Sequence, residues 1–231
     1  MNIFDIVIIF ILIMFFITGW KRGVIKEIVS LVGIILVFII SFLLKDKLGN
    51  FLCLNLPFIS FKGNIEGIIS LNLLFYQVLA FIILFCILLT VYELLLKLSK
   101  WLQKIVNMTI ILILPSKILG GLLSFIKGYI ILFCIFILLI IPLNNNELIK
   151  ESTLINYILY KTPVLSNNTN KLTKSVNDIY SLGKDVTKKK ITKKEANKKT
   201  LDILLKYKII NKELVKKLIE NKKIDNYMEG E

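Results

Sequence analysis

Four ionisable side chains stand inside long apolar runs or at the turns that join them. Lys127 lies inside the run Ile118–Ile141, about 13 Å along the axis from where that run begins, if it is helical. An ammonium at that depth in a bilayer costs at least about 2.5–3.5 kcal/mol unless it snorkels, meets water or finds an opposite charge. Glu27, just before the apolar run Ile28–Leu44, and Glu93, near the end of Leu73–Leu96, fall on one membrane face through the short first and third turns, and Arg22 precedes Glu27. The chemistry open to such a set is ion pairing, a polar path through a membrane, or simple anchoring at the headgroups. Lys127 is expected to pair with Glu27 or Glu93, with snorkelling of its stem as the alternative.

Other chemistries find little support. The chain has no histidine, which removes His-based acid/base catalysis and every His-containing metal site. Cys53, Cys86 and Cys134 are widely separated, without metal-ligand spacing. The last two fall in apolar runs and read as inert, buried thiols. No nucleophile elbow, phosphate-binding glycine loop or dinucleotide fingerprint is present. The reading is a non-enzyme with no cofactor and no metal.

The elements that must position Lys127 and its neighbours follow from how the apolar residues are segregated. Of 231 residues, 56% are hydrophobic, and mean hydropathy is +0.75. Apolar blocks cover Ile3–Thr18, Ile28–Leu44, Leu73–Leu96 and Ile118–Ile141. A spanning helix needs about 20 residues, and in lipid a helix satisfies its own backbone polar groups. The expected fold is all-α, a four-helix transmembrane bundle. An interfacial helix over Lys97–Val106 and a C-terminal basic helical hairpin complete it. Three regions are expected: the membrane domain 1–142, a short juxtamembrane helix within 143–165, and a Lys-rich tail, 166–231.

Small residues mark where helices can approach. Gly19, Gly23 and Gly33 surround the first turn, in GWKRGVIKEIVSLVG. Gly120, Ser124 and Gly128 recur every four residues beside Lys127. In a bilayer such stripes permit close backbone packing, which drives association where water cannot.

The basic residues are unevenly placed. Lys21, Arg22, Lys26, Lys97, Lys100, Lys104 and Lys117 fall on one face of the predicted bundle, against Lys45, Lys47, Lys62, Lys150 and Lys161 on the other. Basic loops tend to stay cytoplasmic, so both termini are expected outside. Met108–Leu114 is too short to span, so it is expected to dip into the bilayer or pack on the bundle. After Pro142 a short helix is expected over Glu147–Tyr160, stopped before Pro163, and Ser166–Lys190 reads as a mobile polar stretch. Thr192-x-x-Glu195 is a capping box and Asn211 a helix cap, each ahead of an apolar stripe. The net charge of +14 rests on 30 basic residues of which only Arg22 is arginine. Specific nucleic-acid binding is therefore unexpected. The expected partners are the lipid bilayer, a second copy of the chain, and a membrane or envelope protein.

Gly19-Trp20-Lys21-Arg22-Gly23 with Glu27, Ser30 and Leu31, and Asp5 near the start, resembles the first turn of the colicin V production protein (CvpA) family. Lys117-Ile118-Leu119-Gly120, Ser124 and Lys127-Gly128 look like the opening of that family's last helix. Ser124 replaces a glycine position, and Ser116 stands where an acid or Asn is common. The resemblance covers about the first 165 residues. It implies a multi-pass protein of the bacterial cytoplasmic (inner) membrane. The implied role is support of toxin production or export, or of envelope homeostasis, with no catalytic residue. Two readings stay open: an oligomeric small-solute path, or a scaffold whose basic tail recruits a partner or anionic lipid.

Overall fold

The computed structural model describes residues 2–98, 113–143, 151–162 and 166–225. Every regular element among them is helical. The four long helices are α1 (Ile3–Arg22), α2 (Val24–Asn55), α3 (Leu71–Leu98) and α4 (Ile113–Leu143). Each contains a stretch long and apolar enough to cross a membrane. They are followed by α5 (Thr153–Tyr160), α6 (Ser166–Thr187), α7 (Lys193–Lys206) and α8 (Lys212–Glu220). The expected interfacial helix, apart from Lys97 and Leu98 at the end of α3, lies outside the described residues. So does the run from Met108 as far as residue 112.

All four long helices outrun the apolar blocks that mark them. At 32 residues, α2 is about 48 Å long, against a hydrocarbon core of about 30 Å. Past Leu44 it continues as a stalk, with Asp46 and Lys47 exposed while Gly49, Leu52 and Cys53 are buried. Outward faces of the bundle stay apolar and uncovered, as Ile6, Phe10, Ile13, Leu36, Leu43, Leu95 and Leu122 show. That pattern suits a lipid solvent. Among the interior contacts, α1 lies against α4, and α2 against both α3 and α4. Cys86, expected buried, is exposed on the outer face of α3, whereas Cys53 and Cys134 are buried.

The polar stretch Ser166–Lys190, read as an irregular tail segment, forms a helix over Ser166–Thr187. Its apolar residues are few but share one helical face: Leu172, Val176, Ile179, Tyr180 and Val186. Val176, Ile179 and Tyr180 are buried. A helix needs only such a stripe when something covers it, and α7 and α5 both pack on α6. Of the helix expected over Glu147–Tyr160, residues 147–150 lie outside the described residues, and the described helix runs over Thr153–Tyr160. Ser152 caps it by accepting the Ile155 N–H at 3.2 Å. Thr192 and Asn211 cap α7 and α8 by accepting the N–H of Glu195 and of Leu214.

The three tail helices end alike. Lys189, Lys208 and Lys222 adopt left-handed backbone angles, φ 56°, 56° and 52°. In each case the lysine N–H reaches back three residues and the following N–H reaches back five. This is the Schellman termination, usually built on glycine. Ile191, Ile210 or Ile224 then follows, and after it Thr192, Asn211 or Asp225.

The tail sits on the membrane bundle. Asn197 of α7 accepts the Ser70 N–H at 2.8 Å and donates to the Gly67 carbonyl at 2.9 Å. The Lys223 ammonium donates to the Cys53 and Leu56 carbonyls at 2.9 and 2.8 Å. It thereby satisfies the free carbonyl end of α2, where a cation is favoured. Buried residues of α3, α6, α7 and α8 share a single apolar cluster.

Candidate functional site

Gly23 makes the site possible. It ends α1 and starts α2 at φ +79°, a conformation that costs an L-residue with a side chain dearly. The turn is held from α4 by Ser116, whose Oγ accepts the Val24 N–H at 3.2 Å. Beside it Gly19 meets Gly120 and Ser124 so closely that a Cβ on Gly19 would lie 2.3 Å from the Gly120 carbonyl oxygen. Further along α4, Gly128 seats the Phe15 ring. The stripe Gly120, Ser124, Gly128 is thus the face of α4 that receives α1.

This close approach encloses Glu27, one turn into α2, leaving it 0% exposed. Lys127, 5% exposed, brings its ammonium 2.5 Å from Glu27 Oε2 and donates to Ser30 Oγ at 3.3 Å. Side chains on a helix lean towards its N-terminus. The Lys127 stem therefore runs back towards the first turn, where Glu27 waits near the positive end of α2. Arg22 Nη1 stands 3.6 Å from Glu27 Oε1, with its side chain 54% exposed. Glu27 Oε1 and Ser124 Oγ are both buried and accept or donate no hydrogen bond among the described residues. The result is a carboxylate between two cations, one enclosed and one reaching the membrane face.

Glu93 lies outside this cluster and is exposed. The inward position of that turn belongs to Tyr92, whose ring fills the space over Gly33 and whose hydroxyl donates to the Val29 carbonyl at 2.7 Å. One residue further along a helix turns about 100° away. Of the two carboxylates expected for Lys127, Glu27 is therefore the one it meets.

A second buried acid was missing from the expected cluster. Asp5, 1% exposed, accepts from Ser152 Oγ at 2.6 Å, from the Leu154 N–H at 3.0 Å and from its neighbour Asn2 N–H at 2.9 Å. It fixes the start of α5 to the start of α1. The only local signal was an acid interrupting an apolar block.

Residues 4–163 match the family described as colicin V production protein. The chain belongs to that family. Neither a curated protein nor a solved structure matches it. The match takes in Asp5, Arg22, Glu27, Lys127 and Ser152, so both buried acids lie within the colicin V production region. Helices α6, α7 and α8 lie beyond it. With four apolar helices besides, this member of the family is a multi-pass membrane protein.

Proposed function

We propose that the protein supports production or export of a peptide toxin, or envelope homeostasis, from within the bacterial cytoplasmic membrane. Its working part is the cluster of Lys127, Glu27 and Arg22. The supporting observation is the enclosed Lys127–Glu27 pair, joined to the membrane face by the half-exposed Arg22. Replacing a buried ion pair by apolar residues of similar volume is often neutral or stabilising by about 1–4 kcal/mol. Stability alone therefore gives no reason for charges at that depth, and ionisable groups inside a membrane commonly mark proton or solute pathways. In one copy the pair is closed, so a path for a small solute requires a second copy or a partner in the membrane. No catalytic step is assigned.

The decisive variant removes both charges together, Glu27→Leu with Lys127→Met, so that neither ion is left orphaned. Membrane insertion and thermal stability should persist while the variant fails to complement cells lacking the protein, read as toxin secretion or growth under envelope stress. Full complementation would sink the polar-cluster reading.

The scaffold reading draws on the tail, where residues 166–225 carry 17 lysines against seven acids. Deleting the tail would uncover buried apolar side chains of α3 such as Leu73 and Leu74. Replacing exposed lysines such as Lys194, Lys198 and Lys216 by Glu is the cleaner test. Loss of complementation in that variant alone would favour the scaffold. Both termini lie on one face of the bundle in our reading. Basic short loops tend to stay cytoplasmic, which supports setting that face outside, and Lys194→Cys should then react with an impermeant maleimide in intact spheroplasts.

A further inference from the structure

A cavity of about 450 Å³ opens between α2, α3 and α4 beneath the tail, and none of its lining belongs to the Lys127 cluster. Within the spanning segments its wall is aliphatic and aromatic, including Phe38, Val78, Phe81 and Phe133. Where the apolar run of α2 ends, the lining changes character. Lys45 of α2, Lys171 of α6 and Lys208 of the α7–α8 turn belong to the lining, as does Tyr207. Among the described residues no carboxylate lines the cavity. Lys45 is paired with the exposed Asp46 at 2.5 Å, and Asp178 accepts from the Tyr207 hydroxyl at 3.3 Å. Lys171 and Lys208 make no ion pair among the described residues.

We propose that this cavity holds an acyl chain of an anionic phospholipid, whose phosphate is gripped by Lys45, Lys171 and Lys208. Three observations converge on that occupant. The volume falls within the range of roughly 300–1,000 Å³ typical of ligand sites, with the usual apolar wall and few polar groups. The polar change falls at the level where α2 leaves the hydrocarbon, which is where a lipid carries its phosphate. Lys171 and Lys208 bring to the lining positive charge that no acid among the described residues pairs with, which favours an anion there. Gln77, 3% exposed, also lines the cavity, and its Oε1 beside Gly49 has no hydrogen-bond partner among the described residues. A headgroup hydroxyl or an ordered water would meet that acceptor. Because two of the lysines come from the tail and the third from α2, the lipid would staple the tail to the bundle. This inference does not depend on the role given to Lys127.

The full chain, purified in detergent and stripped of lipid, tests it. Native mass spectrometry and thermal unfolding are followed as phosphatidylglycerol, phosphatidylcholine or inorganic phosphate is added. Phosphatidylglycerol alone should bind and raise the unfolding temperature. A juxtamembrane lysine is worth about fivefold in affinity for an anionic lipid, so Lys45→Gln, Lys171→Gln and Lys208→Gln together should weaken binding roughly a hundredfold. A control triple, Lys194→Gln, Lys198→Gln and Lys216→Gln, should bind as the parent does. Ile39→Trp, on a lining residue exposed towards lipid, should plug the cavity and block binding without disturbing the core. Equal weakening by both triples would reduce the effect to diffuse charge and overturn the site. Equal responses to inorganic phosphate or to phosphatidylcholine would overturn it too, as would undiminished binding by Ile39→Trp.

Discussion

Gly19 and Gly120 stand backbone to backbone: a Cβ on the first would lie 2.3 Å, and on the second 2.6 Å, from the other's carbonyl oxygen. No flexible side-chain end can yield there, because the obstacle is main chain. Gly19→Ala or Gly120→Ala must therefore push α1 and α4 apart, at an overpacking cost of about 1–3 kcal/mol or more. The displacement also loosens the enclosure of Glu27. Thermal unfolding in detergent should show the loss for either alanine. The same change at Gly63, where a Cβ would meet nothing within 4 Å, should cost only the strain of its positive φ. Parity between the Gly19 and Gly63 variants would contradict the packing argument.

The pairing of Lys127 with Glu27 makes a signed prediction about charge. Removing one partner leaves a buried, uncompensated ion, at about 3–5 kcal/mol, whereas removing both is often close to neutral. Lys127→Met and Glu27→Leu should each destabilise strongly, and the double variant should recover most of the loss. Arg22 complicates the cycle in a useful way. It stands 3.6 Å from Glu27, so Lys127→Met leaves Glu27 one cation and should be the milder single change. A double variant as unstable as the sum of the singles would deny the coupling.

Asp5 and Ser152 lie 147 residues apart and meet at 2.6 Å, both buried. Asp5→Ala would strip acceptors from the Ser152 hydroxyl and the Leu154 N–H together. Leaving buried donors unmet costs about 1–3 kcal/mol. Asp5→Asn keeps an acceptor oxygen and should cost less. The expected readout is faster hydrogen exchange across residues 153–160 in Asp5→Ala, with the rest of the bundle unchanged. Uniform exchange across the chain would point to global loosening instead.

Segregated apolar blocks made the four membrane helices readable, because a period that never alternates with polar residues leaves no other economical structure in lipid. Their ends were less readable. In the stalk of α2 the buried side is carried by Gly49, Leu52 and Cys53, while Asp46, Lys47 and Phe51 are exposed, and what covers the buried side comes from distant sequence. Which carboxylate meets Lys127 was undecided for a related reason. Membrane side placed Glu27 and Glu93 together, but helix rotation, set by Tyr92 over Gly33, decides which one faces inward. The contacts of Asn197 with the Gly67–Ser70 segment, and of Lys223 with the end of α2, span well over a hundred residues. No local pattern announces such contacts, and a lysine that caps a helix looks in sequence like any solvated lysine. Helix α6 was missed because composition was averaged over a stretch whose single stripe mattered.

The lysines that end the tail helices invite a stabilising change. Lys189 and Lys222 hold left-handed angles that cost an L-residue roughly 1–2 kcal/mol and glycine almost nothing. Part of that cost is offset by a cation near the negative end of a helix, worth about 0.3–1 kcal/mol at an exposed site. Glycine also gives the unfolded chain more freedom, which takes back some of the gain. The balance favours Lys189→Gly and Lys222→Gly by a few tenths to about 1 kcal/mol each, and nearly additively, since they terminate different helices. Lys→Ala at the same positions removes the charge and keeps the strain, so it should destabilise slightly. Chemical unfolding of the full chain, followed through the tail, separates these signs. If alanine and glycine shift stability the same way, backbone strain is not what these lysines carry.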